Sequence, residues 1–111
     1  MPSIKIETSA VLSAEQKEKI ALQVSSSCAQ WLGKPENVVQ VRIEDGLTVS
    51  FGGTVCKDSA FIVIALIGEI DPAVKSTLPA GFADILKPCG IDPKRIFIRY
   101  MESGASAWGW N

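Results

Sequence analysis

Apolar and polar positions alternate from Ser3 to Glu7, with Ile4 and Ile6 on one face, which predicts a short opening strand. Ser13 with Gln16 three residues later forms a capping-box pattern and predicts a helix start. Ile20, Val24, Cys28 and Trp31 then recur at helical spacing and give that helix a buried stripe. Gly33 is the expected C′ residue, and Pro35 follows closely. Val39, Val41 and Ile43 alternate with Gln40, Arg42 and Glu44 as a second strand. Asp45-Gly46 reads as a turn, and Leu47 to Phe51 alternates as a third strand. Gly52-Gly53 breaks the pattern, and a short loop leads to Ala60–Ile67, an Ile- and Val-rich run with no polar face. Such a run predicts a strand covered on both sides.

Asp71-Pro72 is a helix start, with Pro72 at the first helical position. From Ala73 to Lys87, Val74, Leu78, Phe82 and Ile85 keep helical spacing, while Pro79 and Gly81 predict a kink or break. Gly90 closes the segment. Arg95 to Tyr100 is the last strand, with Ile96 and Ile98 on one face and Phe97 and Arg99 on the other. Met101 to Asn111 reads as a loop-like tail, with Trp108 and Trp110 flanking Gly109.

The two halves repeat one plan: strand, helix, glycine, a proline-containing turn, strand. Tandem βαβ units imply an α+β protein, βαββαβ, with two helices on one face of a mixed four-stranded sheet and short extra strands. The other face of the sheet carries apolar residues and is left without a helix, which predicts self-association. At 111 residues the chain reads as a single domain, 1–111.

Composition narrows the chemistry. Hydrophobic residues make up 47% and charged residues 21%, the net charge is −1, and no basic run occurs, so neither nucleic acid nor a membrane surface is an expected partner. The longest apolar run, Ala60 to Gly68, is too short to span a bilayer. No leader pattern opens the chain, so a cytoplasmic location is expected, with non-conventional export left open. Cys28, Cys56 and Cys89 form no CxxC pair, which predicts reduced thiols and neither a disulfide framework nor a zinc site. Histidine is absent, so acid-base chemistry near neutrality must come from a carboxylate, lysine, cysteine, tyrosine or the N-terminus.

Pro2 is the candidate. A small second residue permits removal of Met1, leaving a secondary amine that serves as a general base once its pKa is lowered. Taken alone, the other polar candidates stay ambiguous. Lys34 is equally a solvated cation behind a helix C-terminus, and Arg99 a partner for Glu102. Trp108 and Trp110 are equally packing residues at an oligomer seam.

Pro2 opening the first strand, Gly33-Lys34-Pro35, Phe51-Gly52-Gly53, Ile67-Gly68, Asp92-Pro93-Lys94-Arg95-Ile96 and Gly109-Trp110-Asn111 occur in an order and spacing along the whole chain. That set resembles the macrophage migration inhibitory factor and D-dopachrome tautomerase family of the tautomerase superfamily. The resemblance implies a homotrimer with pockets at subunit boundaries and a cofactor-free, metal-free keto–enol tautomerase acting on phenylpyruvate-like or dopachrome-like compounds. It implies Pro2 as the base, Lys34 and Ile67 contacting the substrate, Phe97 and Arg99 reaching in from a neighbouring subunit, and Trp108 and Trp110 as wall. It also implies, as the alternative, a signalling protein that engages a receptor if exported.

The chain departs from that pattern at several points. Phe97 replaces a usual tyrosine and Arg99 a usual asparagine, so a site better suited to anions is expected. The CxxC pair of the mammalian factor is missing, and the chain stops at Asn111, short of a tail that packs neighbouring subunits in many relatives.

Overall fold

The computed structural model describes residues 1–111. Strand β1 (Ser3–Thr8) leads through helix α1 (Ala14–Leu32) to β2 (Gln40–Glu44). A hairpin of β3 (Val49–Phe51) and β4 (Thr54–Cys56) follows, then β5 (Ala60–Ile67). Two helical pieces, α2 (Pro72–Lys75) and α3 (Leu78–Leu86), connect β5 to β6 (Ile96–Ser103). The main sheet has the order β2-β1-β5-β6. β1 and β2 are parallel, β5 and β6 are parallel, and the two pairs meet antiparallel at β1 and β5. The fold is thus two βαβ halves sharing one mixed sheet.

Alternation along the strands decides which face the helices cover. Ile4 and Ile6 of β1 and Ile62, Ile64 and Leu66 of β5 form one core with Ile20, Val24 and Cys28 of α1 and Leu78, Phe82, Ile85 and Leu86 of α3. Each such side chain withdrawn from water contributes roughly 1.5–3 kcal/mol. Helix α1 begins as its sequence dictates: Ser13 accepts the Gln16 N–H at 3.1 Å, and Gln16 accepts the Ser13 N–H at 2.8 Å. It ends on Gly33 at φ 64°, a left-handed conformation that glycine adopts without Cβ strain.

The interruption of the second helix lies ahead of Pro79, at Ser76 and Thr77, rather than at Pro79 itself. Proline has no N–H and its ring clashes with the preceding turn, so it is accommodated in the first turn of α3. The Ser76 and Thr77 hydroxyls fold back onto the Ala73 and Val74 carbonyls, each at 2.7 Å. Gly81, by contrast, sits in unbroken helix because Trp31 occupies the space above it. A Cβ there would lie 2.7 Å from two atoms of the indole. Gly81→Ala therefore destabilises by about 1–3 kcal/mol, overpacking outweighing the gain of up to about 1 kcal/mol in helix propensity. Chemical denaturation checks this, and in a Trp31→Leu background the same substitution becomes neutral or stabilising.

Three expectations need correction. β5 is buried on one face only: Ala60, Ile62, Ile64 and Leu66 are covered, while Phe61 is 41% exposed. A single chain has no second layer to place there. The Leu47–Phe51 strand shrinks to β3, which joins the hairpin with β4 instead of the main sheet. The last strand runs on to Ser103, because β5 offers pairing partners as far as Ile67. The uncovered face is polar on β1 and β2, with Lys5 and Glu44 paired at 3.4 Å. On β5 and β6 it presents Phe61, Val63, Ala65, Ile67, Phe97 and Met101 together with Arg99.

Asp45 ties the turn after β2 to the start of α1, accepting the Leu12 N–H at 2.8 Å and Lys17 Nζ at 3.1 Å. Those bonds hold its carboxyl below the usual range, the Leu12 N–H contributing most. A carboxyl lowered on folding stabilises above its unfolded pKa of about 3.9, and that contribution is lost as pH falls through the lower folded value. Asp45→Asn accordingly flattens the acid limb of a stability-versus-pH curve below about pH 4. An acid limb as steep as the parent's refutes this role.

All three cysteines are free thiols. Burial pushes Cys28 up to about 12, so it reacts with a thiol reagent only once the protein unfolds. Counting thiols modified before and after denaturation tests it. No helix is long and apolar enough to cross a membrane.

Candidate active site

Pro2 stands at the mouth of β1, where the chain must pass between β2 and β5. Its carbonyl accepts the Gln40 N–H at 3.0 Å, which locks residue 2 to the start of β2. Its ring is buried, and the Met1 ammonium donates to the Val38 carbonyl. Around it lies a cleft of about 360 Å³, lined by Met1, Pro2, Ser3, residues 37–40, Trp108, Gly109 and Trp110. With Met1 attached, the Pro2 nitrogen is an amide without a basic lone pair. Removing Met1 turns it into a secondary amine at a recess of mixed polar and apolar lining.

The tail reaches this cleft from the far edge of the sheet. β6 ends at Ser103, a single turn of 3-10 helix follows over Ala105–Ala107, and Trp108 is carried back toward β1. The Trp108 indole N–H donates to Ser103 Oγ at 3.0 Å. Trp110 lines the cleft but is 69% exposed.

The remaining sequence-derived residues do not line the Pro2 cleft within one chain. Arg99 borders a second cleft of about 510 Å³ on the open sheet face, with Ala65, Tyr100, Met101 and Trp108 among its walls. Trp108 thus borders both clefts. Lys34 follows the α1 cap, its N–H bonded to the Ala29 carbonyl at 3.0 Å. It lines a third recess, about 230 Å³, with Trp31, Leu66, Glu69 and Asp71. Ile67 lines none of these three, but it ends β5, and the antiparallel register of Ser3 with Ala65 brings that end beside residue 2. Phe97 is 61% exposed and rests on Phe51, ring centroids 5.3 Å apart.

The alternative partner for Arg99 is taken. Glu102 points to the helix side of β6, where it pairs with Lys75 Nζ at 2.7 Å and accepts the Ile70 N–H at 2.7 Å. Those contacts, Lys75 first, hold its carboxyl below the usual range. Arg99 has no ion pair and keeps its charge free for another group. Val38, Val39 and Gln40, which form the cleft floor, were not legible as site residues, because only the parallel pairing of β1 with β2 brings them to Pro2. No group of three or more His, Cys, Asp or Glu side chains is arranged to hold a metal ion.

Paired βαβ halves on one sheet, with Pro2 buried in a cleft at the sheet's end, define a small α+β protein of the tautomerase type. The family model described as macrophage migration inhibitory factor (MIF) matches residues 1–111, and the chain belongs to that family. Its fold is similar to MIF2 of Leishmania major, at TM-score 0.86 and 26% identity over 100% of this chain and 94% of that one. The macrophage migration inhibitory factor homologue of Prochlorococcus marinus gives TM-score 0.87 and 26% identity, over 98% and 95% of the two chains. The MIF-like protein of Entamoeba histolytica gives 0.89 and 25%, over 99% and 95%. No curated protein matches the chain by sequence.

Proposed function

We propose that the protein is a cofactor-free keto–enol tautomerase in which Met1 is removed and the free Pro2 amine acts as general base on phenylpyruvate-like 2-oxo acids. The observation that carries the reading is the burial of Pro2 in a cleft walled by Trp108 and Trp110, in a chain of this family. The neutral amine takes a proton from the carbon next to the carbonyl. The electron pair of that C–H bond moves into a C=C bond, the carbonyl oxygen becomes the enol oxygen, and the proton is delivered there. Cationic groups favour the negative charge that grows on this oxygen, and they also attract the substrate carboxylate. Lys34 and Arg99 are the cations assigned to this work, with Ile67 and Phe97 as further substrate contacts.

Arg99 and Phe97 do not line the Pro2 cleft within one chain, so the reading requires a neighbouring copy to supply them. The uncovered apolar half of the sheet supports that assembly as a homotrimer, since β5 and β6 leave a continuous apolar surface with an unpaired arginine in it. Phenylpyruvate tautomerisation by the Met1-cleaved protein, followed by ultraviolet absorbance, tests the function. Light scattering tests the assembly, with three times the protomer mass expected. An inactive trimer with a free Pro2 removes the enzyme reading and favours the second one, a partner-binding protein of the signalling kind for which the family is named.

A further inference from the structure

We propose that Ser103 is a positioning residue that fixes Trp108 where it borders both the Pro2 and Arg99 clefts. The proposal rests, for its effect on turnover, on the tautomerase reading above. Three hydrogen bonds converge on this one residue. Its hydroxyl donates to the Leu66 carbonyl at 3.2 Å and accepts the Trp108 indole N–H at 3.0 Å. Its own carbonyl accepts the Gly68 N–H at 2.9 Å. Ser103 therefore fastens the end of β5, where Ile67 is its register partner, and the tail that passes Pro2.

The donor and acceptor inventory makes the arrangement directional. A serine hydroxyl has one proton to give, and here it is committed to Leu66. Its lone pairs then remain for Trp108, whose indole has one polar atom and is donor only. A single acceptor is enough to set the rotation of the ring. Beyond Gly104 the other tail bonds, Ala107 N–H to Gly104 and Trp108 N–H to Ala105, stay inside the 3-10 turn. The indole bond to Ser103 is the one hydrogen bond that ties residues 105–111 to the strands. With it, the ring stands in both clefts at once. Without it, the ring keeps apolar contact but loses its fixed orientation, and both clefts lose a defined wall.

The test compares Ser103→Ala, which deletes both side-chain bonds, with Ser103→Thr, which retains the hydroxyl. The first readout is solvent exchange of the Trp108 indole N–H in a nitrogen-15 spectrum, assigned by its disappearance in Trp108→Phe. Exchange is expected to speed up about tenfold in Ser103→Ala, the scale of one net hydrogen bond, and to return toward the parent rate in Ser103→Thr. With phenylpyruvate, KM rises about 3- to 10-fold in Ser103→Ala while kcat changes less, because a wall is loosened and the base is untouched. Ser103→Ala and Trp108→Phe are expected to be non-additive, since each removes the same bond. Unchanged indole exchange in Ser103→Ala, or equal damage in Ser103→Thr, overturns the proposal. A parent protein without tautomerase activity defeats the functional reading instead, and the exchange experiment still decides whether Ser103 holds the ring.

Discussion

Pro2→Gly lowers kcat/KM for phenylpyruvate by about 100-fold or more, within the range contributed by a positioned general base. Glycine leaves a primary amine at the same chain position, so the substitution spares the charge and removes the rigid ring that holds the nitrogen in the cleft. A form that retains Met1 is expected to be equally impaired, since its residue 2 nitrogen is an amide. The two variants fail for different reasons, and only a mechanism based on the Pro2 nitrogen predicts that both fail. The pH profile supplies the sign. The base works neutral, so activity is lost as pH falls through its pKa. An ordinary α-amino group titrates near 7.7–8, and both burial of Pro2 and the cations that the proposed assembly brings to it lower that value. The inflection in kcat/KM is therefore expected below about 7.7. A Pro2→Gly protein within tenfold of the parent, or a Met1-retaining protein with full activity, rules out the Pro2 nitrogen as the base.

Phe82→Ala costs about 3–5 kcal/mol of stability, the range for deleting a buried aromatic ring. Phe82 is 0% exposed and sits where α3 meets both α1 and the sheet. Trp31 meets it edge to face, with ring centroids 5.6 Å apart and an interplanar angle of 67°. Trp31 in turn lies over Gly81, so the indole is held from two sides of α3 and is poorly placed to fall into the void. A cavity that its neighbours fail to fill gives losses at the upper end. Urea unfolding at one fixed protein concentration measures the effect, because the proposed assembly adds a concentration-dependent term to apparent stability. A loss under about 1.5 kcal/mol means that the layer between the helices collapses onto the gap.

The regular elements were readable because one face of each is buried. Period two in β1 and β2 and the helical stripe of α1 follow from that, and the Ser13–Gln16 box marked the start of α1 to the residue. Elements held by their partners were not readable. β4 is three residues long, too short to show a period, and exists because Gly52 and Gly53, at φ 61° and 83°, turn the chain back onto β3. The last residues of β6, Met101 to Ser103, are in strand because β5 extends beside them. Among the candidate site residues, Pro2 was singled out by its position behind Met1, by the absence of histidine and by the family resemblance, and the fold buries it beside a cleft. Ser103 gave no signal: a serine five residues before a tryptophan becomes a bond only when a 3-10 turn folds the tail back.

The sequence by itself determined the elements of the two βαβ halves and the proline ahead of the first strand, because these depend on local periodicity, capping and turn chemistry. Only the tertiary structure decided which residues stand together. Val38 to Gln40 and Trp108 meet Pro2 through strand pairing and a reversal of the tail, contacts between residues far apart in sequence that no local pattern encodes. It also placed Lys34 and Arg99 on other clefts than the one around Pro2 and left one apolar half of the sheet uncovered. The physical reason is the same in each case. A side chain's face is set by its own segment, but its neighbours are set by which segments bury that face together.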